Sequence, residues 1–151
     1  TDRRATARVT LTDARHPKEH LMLENAKQKF VVRHYSENDF KGGGLRGEAE
    51  YRDLGVAEAT NGRFTAHVAR IAPGAVKEAS KRHYHDVDFH MVYVLKGWIK
   101  SEFEGEGVHT MRAGSCWVQP PGIRHKVLAH SDDMELIEVI SPGQFATVEV
   151  E

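Results

Sequence analysis

The chain has 151 residues, 40% of them hydrophobic and 28% charged, with a formal net charge of −1. That length suits one domain with one continuous core, and the near-neutral charge gives no reason to expect nucleic acid or a membrane surface as a partner, which leaves a small molecule. No apolar run approaches the roughly 20 residues needed to cross a bilayer, the opening Thr1-Asp2-Arg3-Arg4 starts no signal-type segment, and the single cysteine, Cys116, excludes an intrachain disulfide. A soluble, cytoplasmic protein is therefore expected, although a start without Met leaves a trimmed leading segment open.

In chain order, residues 1–60 read as an N-terminal arm that packs on the domain or on a partner subunit. Arg8-Val9-Thr10-Leu11 is read as a short strand and Leu21 to Lys27 as a helical turn, without sustained periodicity in either, and Gly42-Gly43-Gly44 breaks the chain. From Asn61-Gly62, a turn signal, the character changes. Phe64 to Ile71 alternates apolar and polar positions as a half-buried strand does. Similar runs follow at His90 to Leu95, Trp98 to Phe103, Val108 to Arg112, Cys116 to Gln119, His125 to Ala129, Met134 to Ile140 and Phe145 to Val150. Turn residues separate them, among them Pro73-Gly74, Lys96-Gly97, Ala113-Gly114 and Pro120-Pro121-Gly122. Short strands at this spacing predict an all-β sandwich or barrel over 61–151.

The compositional anomaly is histidine, present 10 times, and position decides which copies matter. His83 and His85 are two residues apart, so in an extended chain both imidazoles point to one side. With His90 and Gly97 they form the pattern His-x-His-x4-His-x6-Gly, and Gly114-x5-Pro120-x-Gly122-x2-His125 follows. Two imidazoles from one strand and others from neighbouring strands can converge inside a barrel and hold a metal ion. The competing reading, exposed strand histidines and a packed core histidine, suits any one of them better than it suits the set.

These two patterns resemble the paired motifs of the cupins, and the likeness spans residues 60–150. The resemblance implies an all-β, double-stranded β-helix (jelly-roll cupin barrel) with His83, His85 and His125 as metal ligands. Three positions depart from the family pattern. Lys77 stands where the first motif opens with glycine, Ala129 where the second ends in asparagine, and His90 where the fourth ligand is usually glutamate.

His90 shares its strand parity with Val92 and Val94, opposite Met91, Tyr93 and Leu95. If its set faces inward it reaches the metal; otherwise it hydrogen-bonds nearby or packs. Four neutral imidazoles would leave a divalent charge uncompensated and favour anionic or enolate-like ligands. Tyr93, Gln119, Arg70 and Glu138 are polar or amphipathic groups in apolar strands and are candidates to line the pocket. Tyr84, Asp86 and Asp88 should point outward, Pro120-Pro121-Gly122 should shape the turn that presents His125, and Cys116 is read as a small core residue.

The expected cofactor is one divalent metal ion per chain: iron for an oxygenase, with zinc, manganese or nickel as other possibilities. The leading functional expectation is a mononuclear non-haem metal dioxygenase acting on a small oxygenated substrate such as a diketone, a hydroxylated ketone or an acid. A metal-dependent lyase or isomerase and a non-catalytic ligand-binding or sensor protein are the alternatives. No residue is singled out as catalytic. A homodimer exchanging terminal segments is expected, since such pairing covers sheet edges.

Overall fold

The computed structural model describes residues 28–43, 47–75 and 80–151. Arg8 to Leu11, Leu21 to Lys27, Gly44 and Lys77 lie outside them. A 3₁₀ turn at Glu37–Asp39 precedes β1 (Ala49–Asp53), the one-turn helix α1 (Val56–Ala59) and β2 (Thr65–Ile71). Then come β3 (His83–His85), β4 (Phe89–Lys96), β5 (Trp98–Phe103), β6 (Gly107–Arg112), β7 (Cys116–Val118), β8 (His125–His130), β9 (Glu135–Ser141) and β10 (Thr147–Glu149).

The strands form two five-stranded sheets, ordered β1-β2-β9-β4-β7 and β10-β3-β8-β5-β6, with every pair antiparallel. This is the double-stranded β-helix expected above. The period-2 pattern decides which face is inside: β5 buries Ile99, Ser101 and Phe103, and β4 buries His90, Val92 and Val94. Between the sheets, Ala69, Val92, Val94, Ile99, Phe103, Met111, Val127, Met134 and Leu136 form one apolar cluster. Each large aliphatic side chain so buried stabilises the fold by about 1.5–3 kcal/mol. His83, His90 and His125 are buried as well, among these apolar residues.

All eight expected runs from residue 64 onward carry strands, with ends shifted by a few residues. The boundary at residue 60 needs correction. Ala49–Asp53 pairs along its whole length with His67 to Ile71, so part of the expected arm is an edge strand of the first sheet. The chain before it lies along this edge: Lys41 bridges Tyr51, and the Arg52 guanidinium lies over the rings of Tyr35 and Phe40. Cys116 is exposed rather than in the core, because it falls on the outward parity of edge strand β7.

The turn after β4 explains the glycine that closes the first motif. Gly97 has φ +66°, and a Cβ there would lie 2.1 Å from Ser131 Oγ and 3.1 Å from Met134 Cα. Only glycine meets both demands. Gly97→Ala is expected to lower the urea midpoint by an amount equivalent to at least about 1–3 kcal/mol. Gly105→Ala, with φ +78° but open space around it, should cost less; equal losses would show that the close approach contributes nothing.

Candidate metal centre

Strand β3 places His83 and His85 on the inner face of the second sheet, and its pairing with β8 sets His83 directly opposite His125. The turn before β8 is built for this. Ile123 N donates to Pro120 O at 3.2 Å across Pro121 and Gly122, whose φ is +75°, as a type II turn with proline then glycine at its centre requires. One nitrogen from each of His83, His85 and His125 lies within 4.8 Å of the others, and the ring centroids are 4.4–5.2 Å apart.

Nδ1 of each ring is tied down on the far side. His83 donates to Lys81 O at 2.8 Å and His125 to Ile123 O at 3.0 Å, while His85 Nδ1 meets Thr147 Oγ1 at 2.8 Å. A donor N–H at Nδ1 leaves the Nε2 lone pair for a metal, and such outer bonds also fix ring orientation. Burial first, and then the neighbouring histidines, push His85 down to about 3; burial and the imidazoles of His83 and His90 bring His125 to about 4, against the pull of the Ile123 carbonyl. Both rings are therefore neutral at ordinary pH, so no proton has to be displaced before they can ligate a cation. Three oriented imidazoles, those of His85 and His125 held neutral, fit a divalent transition metal.

His90 has the inward parity expected of it and is 2% exposed. Its ring lies 5.2 Å from that of His85, outside the close group of three. Among the described residues neither of its nitrogens has a hydrogen-bond partner, although leaving a buried polar group unsatisfied costs about 1–3 kcal/mol. Its Nε2 lies 3.5 Å from Glu138 Oε1.

Glu138, on β9, lines the same cavity and is bonded through its other oxygen to His67 Nε2 at 2.5 Å. Burial alone would raise its pKa, but the hydrogen bond from His67 and the neighbouring His90 imidazole outweigh this and hold it well below the usual carboxylate range. An ionised carboxylate thus sits beside the imidazole group, entering from β9 rather than from the motif position that His90 occupies. The uncompensated charge expected of an all-histidine site is correspondingly reduced.

Gln119 is also in the cavity wall. Its Oε1 accepts from Trp117 Nε1 at 3.1 Å, which orients the amide so that Nε2 faces His125, 3.3 Å from its Nε2. Two candidates do not reach the cavity. Tyr93 has the outward parity of β4 and is 39% exposed. Arg70 stands with its guanidinium 3.7 Å from the Phe40 ring centroid and bonds to Glu37 and Glu50. His67, Tyr51, Ser101, Trp117 and Phe145 were not anticipated. All but His67 line the cavity, and His67 shares its strand parity with core residue Ala69, a signal readable in β2.

Fold and site together define a double-stranded β-helix with an inward histidine cluster. A family model described as a cupin domain matches residues 67–140, and that stretch of the chain is a cupin domain. Among solved structures, it is similar to the polyketide cyclase RemF from Streptomyces resistomycificus (19% identity, 80% of this chain and 87% of that one, TM-score 0.62). It is also similar to an oxalate decarboxylase formate complex from Lactobacillus farciminis (16% identity, 77% of this chain and 35% of that one, TM-score 0.57) and to KdgF from Halomonas sp. (20% identity, 74% and 96%, TM-score 0.52). At these identities the likeness is one of fold. No curated protein matches the sequence.

The depressed histidines give a signed pH dependence. An unfolded histidine takes up a proton near pH 6.5, whereas the folded forms of His85 and His125 do so only at about 3 and about 4. Between these values the unfolded chain binds more protons, so stability of the metal-free protein is lost as pH falls through the window from about 6.5 to about 3. Urea midpoints of chelator-treated protein should drop across that range. The drop should be shallower in the double variant His85→Gln/His125→Gln, and an equal slope in both proteins would contradict the assignment.

Proposed function

We propose that the chain binds one divalent metal ion through His83, His85 and His125, with His90 supplying a fourth nitrogen, and acts as a metal-dependent lyase, isomerase or cyclase on a small oxygenated carbonyl substrate. One observation carries this reading: an ionised glutamate, Glu138, faces the same cavity as the histidines and is held there by His67. A bound divalent ion would supply Lewis-acid polarisation of the carbonyl oxygen. Glu138 then takes the proton from the adjacent carbon, the electron pair staying on the substrate, and later returns the proton to the product. His67 holds the carboxylate through Oε2, leaving Oε1 for the transfer. The amide N–H of Gln119, its carbonyl already engaged by Trp117, donates to a second substrate oxygen. Ile99, Leu136, Ile140 and Phe145 form apolar wall around the reacting atoms and limit access of water.

The neighbours named as a polyketide cyclase and an oxalate decarboxylase accord with such chemistry better than with oxygen insertion. The dioxygenase expected from sequence stands as the second reading, favoured by a donor set that suits iron as well as zinc. Either reading takes a small-molecule substrate in a homodimer.

Protein purified without added metal should retain about one divalent ion per chain, and His83→Ala and His125→Ala should lose it. His90→Ala should weaken metal retention by about 10-fold or more; unchanged retention would place His90 outside the coordination. Glu138→Gln should keep the metal while turnover on a panel of β-diketones and hydroxylated aromatic ketones falls by about 10²–10⁴-fold, with wild-type turnover persisting under anaerobic conditions. Turnover that requires oxygen would favour the dioxygenase.

A further inference from the structure

The cavity that holds the histidines is about 60 Å³, room for a few waters, whereas cavities for organic ligands usually exceed about 300 Å³. A second cavity of about 480 Å³ lies between the β5–β6 hairpin and the β7–β8 loop and shares Trp117 and Gln119 with the first. Aromatic rings stand between the two. Phe103 stacks on His125 with centroids 5.9 Å apart and planes at 24°, and meets Trp117 edge-on at 6.3 Å. Phe103 and Trp117 also line the larger cavity, with Met111 and Ile123 adding apolar wall and Thr110 and Glu106 adding polar groups.

We propose that this groove is the subsite for the body of the substrate, a planar aromatic or polycyclic molecule whose neighbouring oxygens pass Trp117 and Gln119 to reach the histidine centre. The inference rests on the metal-dependent reading above and adds a substrate class to it. Aromatic walls select a flat apolar body, and the Gln119 amide, fixed by Trp117 on the groove side and facing His125 on the other, marks the passage for an oxygen. A rival approach runs through the cleft formed by Asp86 to Asp88 and Pro142 to Ala146, which shares only Phe145 with the centre. Its two aspartates would repel the enolate or phenolate that a metal favours.

The test compares two chelating probes on metal-loaded protein by calorimetry: 1-hydroxy-2-acetonaphthone, which carries a bicyclic body, and acetylacetone, which has none. Thr110→Trp and Val118→Trp both add bulk to the groove from exposed positions, so at least one variant should fold normally. Each is expected to weaken the bicyclic probe about tenfold or more while leaving acetylacetone within about twofold. Gln144→Trp, in the rival cleft, should change neither. The subsite is overturned if the bicyclic probe is indifferent to both groove variants, if Gln144→Trp weakens it instead, or if the wild type binds acetylacetone and not the bicyclic probe. In each of those cases retained metal and acetylacetone binding leave the metal reading intact, whereas a wild type that retains no metal overturns both.

Discussion

The pairing of His83 with His125 across β3 and β8 is the constraint on which the centre depends. β3 is only three residues long, so its register comes from its neighbours, with β10 fixing His85 opposite Thr147 on the other side. A one-residue slip would turn His83 and His85 outward and Tyr84 inward. The type II turn at Pro120 to Ile123 starts β8 in the matching register, and the Ile123 carbonyl then holds the His125 ring. Backbone geometry thereby orients the side chains before any ligand arrives, which lowers the reorganisation that binding would demand.

The second sheet element of the centre is electrostatic. Replacing a glutamate by His90 removes a negative charge from the first motif, yet β9 returns one through Glu138, whose register places it opposite both His67 and Val92. His67 and His90 flank this carboxylate and keep it ionised despite burial. The carboxylate thus stands on the cavity wall rather than at the motif position that His90 occupies.

Much of this was legible in the sequence, and the reasons are specific. Alternation located the strands from Phe64 onward and put His90, Val92 and Val94 on one shared face, because a side-chain period of two is a local property; that this face is the buried one is set by the packing of the sheets. Ala49 to Asp53 was missed as a strand because Ala-Glu-Tyr-Arg-Asp shows little apolar signal, and its pairing with β2 is non-local. The same parity that buries His90 places Tyr93 outside, and Arg70 falls on a face covered by Phe40, so a polar residue in an apolar strand was not enough to mark the pocket. The His67–Glu138 pair is set by the register between β2 and β9, strands separated by most of the barrel in sequence. No local pattern carries that register.

Binding of a divalent metal by the imidazole nitrogens of this cluster is open to direct measurement. X-ray absorption at the edge of the metal retained by the purified protein tests it most directly. The expected first shell holds three or four nitrogens at about 2.0–2.2 Å, with the outer-shell scattering of imidazole rings. A first shell of oxygen alone, without imidazole scattering, would contradict it.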